Sequence, residues 1–201
     1  MSEAAVKQMT LAEFLRWEDG TDTRYELLAG QPVAMAPPAP PHGFLAARLC
    51  ARIEGALQSR RPCMVQIEVG IARPDRDDTC YVADYVADLA VTCKPPRSGE
   101  QLISDPVLIV EVLSPTTGLR DRHTKVADYR RILSVEEILL IDSTSIFAEV
   151  LRREGHRWIT EIVRGSQATL SLTSIGLTAT MSELYEGIDL PDQGAATRPM
   201  G

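Results

Sequence analysis

Residues 107–113 read VLIVEVL, an apolar run interrupted only by Glu111. Such a run, too short for the roughly 18 residues that cross a bilayer, is what a central strand covered on both faces looks like. Downstream, DRHTKVADYRRIL (121–133) spaces Val126, Tyr129, Ile132 and Leu133 as one face of an amphipathic helix. Strand patterns follow at 137–142, 146–153 and 157–163, with shorter segments near 168–179 and a last helical turn at 181–186. A strand, a helix and further strands in succession predict a crossover that leaves 107–113 central and parallel to a strand after it.

Upstream, strands are expected near 81–85 and at 88–93, DLAVTC. Residues 63–72 alternate around Val65, Ile67, Val69 and Ile71, and RPDRDD (73–78) reads as an exposed turn. The segment 44–57 carries apolar residues at 45, 49, 53 and 57, a helix period, behind a stiff connector PPAPPHG at 37–43. RYELLAGQPVAMA (24–36) predicts a hairpin turning at Ala29-Gly30, and Thr10 with Glu13 forms a capping box for a helix over 11–17. The expected fold class is α/β: a central mixed β-sheet flanked by helices in one domain over 9–189. Residues 1–8 and 190–201 are expected to be flexible ends.

Composition agrees with that reading. The chain has 201 residues, 44% hydrophobic and 24% charged, which fits one globular domain and excludes a disordered chain. The N-terminus lacks a charged lead-in followed by an apolar stretch, so the expected location is cytoplasmic, with no membrane partner. A net charge of −7 weighs against a protein that coats DNA, while leaving room for a local basic groove. Only Lys7, Lys94 and Lys125 are lysines; the other basic residues are arginines. Cys50, Cys63, Cys80 and Cys93 are separated by 13, 17 and 13 residues, with no close pair. Reduced, mostly buried thiols are expected rather than zinc ligands or disulfides.

Glu111 is the sharpest chemical clue, because a carboxylate in an apolar strand needs a partner or a cavity. Asp88 begins another apolar strand; if the two strands pair, both acids can share one sheet edge. Two convergent carboxylates suit a hard divalent cation such as Mg²⁺ or Mn²⁺. Separate structural ion pairs with arginines are the competing reading. Lys125 lies four residues before Tyr129, so both project from one helix face. Beside a metal-carboxylate site its ammonium could orient a water or steady charge on phosphate; otherwise it is a solvated helix lysine. His123 and His156 read as surface histidines.

The segments RYELLAG, VADLAVTC, PVLIVEVLSP and DRHTKVADYRRI, in this order, resemble the Uma-two family of restriction-endonuclease-like proteins. That family is a branch of the PD-(D/E)XK nuclease superfamily, and the resemblance runs from about Met9 to Leu184. It implies a restriction-endonuclease-like core in which Asp88 and Glu111 are catalytic acids and metal ligands. Leu113 stands where the superfamily motif places its lysine; the resemblance moves that role to Lys125. Glu26 matches an acid that completes the site, Tyr129 a residue supporting the lysine, and His42 a polar residue at the start of the second helix. Ala87 replaces the motif's proline. The implied activity is metal-dependent endonucleolytic hydrolysis of phosphodiester bonds in DNA, with Mg²⁺ or Mn²⁺ as cofactor and a homodimer as the natural way to cut both strands. The alternatives are a catalytically inactive nuclease-fold binding module and a metal-dependent hydrolase of another phosphoester. The retained Asp88, Glu111 and Lys125 favour catalysis.

Overall fold

The computed structural model describes residues 8–28, 30–71, 85–115 and 124–190. Its centre is a seven-stranded mixed sheet in the order β5-β3-β4-β6-β7-β8-β9. These strands are β3 (Met64–Ile71), β4 (Tyr85–Thr92), β5 (Leu102–Ile103), β6 (Pro106–Leu113), β7 (Glu137–Asp142), β8 (Phe147–Glu154) and β9 (Arg157–Arg164). The VLIVEVL run is the middle strand, and it pairs in parallel with β7, as the crossover predicts. Its neighbour on the other side, β4, is antiparallel.

Two apolar layers cover the sheet. On one face, α2 (Pro40–Leu57) buries Leu45, Leu49, Ile53 and Leu57 against Leu89, Val91, Leu108, Val110 and Val112. The hairpin β10 (Thr169–Leu172) and β11 (Leu177–Thr180) and the short α4 (Met181–Tyr185) extend that layer. On the other face, α3 (Val126–Tyr129) and the turns after it bring Val126, Tyr129, Ile132 and Val135 onto Ile109, Leu113, Ile138 and Leu140. A hairpin of β1 (Tyr25–Leu28) and β2 (Gln31–Ala34) packs its Leu28 against the same layer. Its joint contains Gly30 at φ +79°, a left-handed conformation that glycine adopts without steric cost. Ahead of it, the capped helix α1 covers only Leu11–Phe14.

A buried acid fixes the far end of the sheet. Glu137, 1% exposed, accepts from Arg152 Nε at 2.6 Å. It also accepts from the backbone N–H and hydroxyl groups of Thr173 and Ser174 at 2.6–3.1 Å. Burial by itself pushes the Glu137 carboxyl up. The Ser174 hydroxyl, Arg152, and the Ser174 amide and Thr173 hydroxyl outweigh that and hold it below the ordinary glutamate range.

Several sequence expectations need correction. Helix α2 starts at Pro40 within the expected connector, because prolines in a first helical turn lack only N–H groups that would be unbonded anyway. Of the helix expected over 121–133, the described residues show Thr124–Lys125 as π-helix and Val126–Tyr129 as α-helix, with turns after them; 121–123 lie outside the described residues. Leu133 is 84% exposed rather than buried, since the chain leaves the helical path after Tyr129 and only Ile132 turns inward. Strand β5 was not anticipated, and the turn at 73–78, residues 81–84 and His123 lie outside the described residues.

The thiol reading also changes: Cys63 and Cys93 form a disulfide. They stand one step beyond the Met64–Thr92 pair of the β3–β4 ladder, so pairing register brings together residues far apart in sequence. Cys50 is free and partly buried, and burial raises its thiol pKa.

Candidate active site

The site forms where the β4 ladders lapse. In the β3–β4 pairing, Ile67 faces Leu89 and Val69 faces Ala87, but Glu68 and Asp88 between them are unpaired. Glu68 has φ +45°, a left-handed conformation costing about 1–2 kcal/mol for a residue with a side chain. The alternation of sides slips at the same place. Tyr85 and Ala87 join the α3 layer, then Leu89 joins the α2 layer and Ala90 the α3 layer again. Strand β4 also parts from β6 here: the last bonded pair is Leu89 with Val110, and Asp88 and Glu111 stand one step beyond. The Val112 N–H donates to Asp88 Oδ2 at 2.7 Å. A side chain thereby takes the place of a ladder carbonyl, and the strands can open without an orphaned amide.

Four of the six candidate residues converge on the α3 side of this opening. Lys125 Nζ lies 3.0 Å from Glu26 Oε1 on β1 and 3.3 Å from Glu111 Oε1 on β6. It also donates to the Val86 carbonyl on β4 at 3.1 Å. The Tyr129 hydroxyl donates to Glu111 Oε1 at 2.6 Å, and the Val86 N–H donates to Glu26 Oε1 at 3.3 Å. Glu26, Glu111 and Lys125 are each 3% exposed or less. The reading of Lys125 as a solvated helix lysine is therefore wrong. Glu111 meets this lysine as a counter-charge.

Asp88 and His42 form the second half. His42 Nε2 lies 3.2 Å from Asp88 Oδ1, with the side chains 15% and 23% exposed. His42 sits in the first turn of α2, beyond the proline pair that starts the helix. The register thus brings Asp88 and Glu111 to one junction, but their partners come from different layers: α2 for Asp88, and α3 and β1 for Glu111. Among the described residues, no group of three or more His, Cys, Asp or Glu is arranged to hold a metal. Asp88 and Glu111 themselves offer carboxylate oxygens, the donor type that a hard divalent cation takes.

Two contributors were not singled out in the sequence. Tyr85, 3% exposed, donates its hydroxyl to Asp128 Oδ2 at 2.8 Å. Its ring meets Tyr129 edge-on, with centroids 5.8 Å apart. Asp128 lies three residues after Lys125, a helical spacing that could have marked it; nothing in the sequence links it to Tyr85.

Comparison with known proteins gives the family and the fold. A family model described as "Putative restriction endonuclease", Uma2, matches residues 11–182. The chain belongs to the Uma2 family. The chain is also similar to uncharacterized protein slr1290 of Synechocystis sp., 28% identical over 194 residues, covering 92% of this chain and 95% of the relative. Another, sll1609 of the same organism, is 25% identical over 181 residues, covering 86% and 97%. The fold matches the crystal structure of a "putative nuclease belonging to DUF820" from Anabaena variabilis, with a TM-score of 0.70 at 19% identity. That match covers 88% of this chain and 97% of the other. The expected restriction-endonuclease-like fold is thus found. No helix among the described residues is long and apolar enough to cross a membrane.

Proposed function

We propose that this Uma2 protein is a metal-dependent endonuclease hydrolysing phosphodiester bonds in DNA. The observation that carries the reading is the buried Lys125 ammonium held by Glu26 and Glu111 at the point where β4 and β6 separate. A buried lysine between two acids from different strands costs desolvation that a plain core would avoid. Such a cluster at an opening in a sheet is a common form of catalytic site.

In this reading Asp88 and Glu111 would hold Mg²⁺ or Mn²⁺ through their carboxylate oxygens. Bound there, the ion would supply Lewis-acid polarisation of a phosphoryl oxygen and acidify an attacking water. Lys125 orients that water or steadies charge on the phosphate. Glu26 holds the ammonium charged and placed, and Tyr129 fixes the Glu111 carboxylate through its hydroxyl. His42 orients Asp88 from the more exposed side, where a substrate strand can enter. Two copies would present two such sites to the two strands of a duplex, and a cytoplasmic location would give access to DNA.

The test is single-turnover cleavage of labelled DNA with Mg²⁺ or Mn²⁺, alongside RNA and simple phosphodiesters. Metal-dependent cutting of DNA that disappears in Asp88→Asn supports the reading. Cutting of another phosphoester alone would favour a different hydrolase, and no cutting of any of them would favour a binding module.

A further inference from the structure

The segment that carries Lys125 is held from several sides, and β4 supplies one of its anchors. Among the described residues the helical stretch is short: Thr124 and Lys125 are π-helical, α3 adds Val126–Tyr129, and turns follow from Arg130. Helical segments this short draw most of their stability from tertiary packing. Among its tertiary contacts, Tyr85 makes three, one each to Lys125, Asp128 and Tyr129. From the first position of β4, Tyr85 gives its hydroxyl to Asp128 Oδ2 at 2.8 Å. It sets its ring edge-on against Tyr129 at 5.8 Å, and the Lys125 ammonium stands 6.0 Å from its ring centroid. One buried side chain thus touches the lysine, the acid three residues on and the tyrosine that donates to Glu111.

We propose that Tyr85 and Asp128 are a positioning pair. Their hydrogen bond sets the rotation and depth of the 125–129 turn, and so the reach of Lys125 and Tyr129 toward Glu111. Apolar packing by Val126 and Tyr129 does not by itself set the rotation of this short helical segment. A directional O–H to carboxylate bond on its outer shoulder fixes that rotation. The proposal extends the nuclease reading but rests on it only for its effect on cleavage; the placement of Lys125 is separately measurable.

With three lysines in the chain, protein labelled with ¹³C at the ε carbon and ¹⁵N at the ammonium of lysine gives at most three signals, and Lys125→Arg assigns the one of interest. Tyr85→Phe keeps the ring and removes the donor, Asp128→Ala removes the acceptor, and Asp128→Asn keeps an acceptor oxygen. Tyr85→Phe and Asp128→Ala are expected to move the Lys125 signal toward that of the exposed Lys94, or broaden it, while the cooperative melt is retained. Cleavage should fall roughly 10- to 100-fold at saturating DNA with little change in DNA affinity, as for a displaced reacting group. Asp128→Asn should keep both the signal and the rate near wild type. An unmoved Lys125 signal in Tyr85→Phe, or failure of Asp128→Asn to rescue, overturns the pair. If Asp128→Ala does not fold, Tyr85→Phe with Asp128→Asn decides. A signal that moves as expected in a protein cutting no DNA would support the positioning and reject the nuclease reading.

Discussion

Lys125 Nζ and Glu26 Oε1 meet at 3.0 Å, tying the first hairpin to the turn behind the central strand through a contact closed to solvent. Glu26→Gln tests what the charge contributes there. The amide oxygen can still accept from the Val86 N–H, but Lys125 is left with Glu111 as its counter-charge among these partners. A loss of about 1–3 kcal/mol in urea unfolding at pH 7 is expected, the scale of a hydrogen bond to a charged group. Metal-dependent cleavage should fall with it. Unfolding curves that superimpose on wild type would show that Glu111 suffices for the lysine.

Removing the ammonium is the more severe change. Lys125→Ala leaves Glu26 and Glu111 buried without this cation, at a cost of about 3–5 kcal/mol for a broken buried pair. Mn²⁺ should return part of that stability, because an ion that binds the folded state alone stabilises it. Thermal unfolding with and without Mn²⁺ measures this, and the metal-induced rise should be larger in Lys125→Ala than in wild type. Lys125→Arg should also lose cleavage, since the planar guanidinium cannot occupy a pocket shaped for a compact ammonium.

Asp88→Asn separates support of the strand opening from chemistry. The asparagine oxygen can keep the bond from the Val112 N–H, so stability should stay within about 1 kcal/mol of wild type, the net worth of an ordinary hydrogen bond. The lost charge should weaken Mn²⁺ binding by calorimetry and abolish cleavage. Undiminished metal binding would take Asp88 out of the ligand set.

Acid should act through Glu137. Its carboxyl is held below the ordinary value, so it binds fewer protons folded than unfolded in the window between its two pKa values. Its contribution is complete above the unfolded value of about 4.3 and is lost as pH falls through the depressed folded value. Glu137→Gln should remove about 3 kcal/mol at pH 7, because Arg152 is left without its buried partner. It should also flatten the acid side of the stability–pH profile. Parallel profiles for wild type and variant would mean that Glu137 titrates alike in both states.

Much of this was legible in the sequence. The apolar run at 107–113, the helical spacing of Leu45, Leu49, Ile53 and Leu57, and the helix between two parallel strands follow from periodicity, which reports on burial directly. Glu111 and Asp88 stood out as acids in or at the start of apolar strands, Lys125 and Tyr129 through a shared helix face, and Glu26 only through the family resemblance. What escaped the sequence depends on register. The Cys63–Cys93 bond, the Tyr85–Asp128 contact and the unpaired Glu68 and Asp88 arise from which residues face each other across strands. Leu133 misled because its spacing fits a helix that the chain has already left.

The disulfide has a topological consequence. Cys63 and Cys93 lie 30 positions apart and close the β3–β4 hairpin into a covalent ring that carries Glu68, Tyr85, Val86 and Asp88. A protease cutting once anywhere between residues 64 and 92 would open the ring without separating its pieces. The nicked chain would keep its apparent mass until a thiol is added, and the strand bearing Asp88 would stay tethered beside β3.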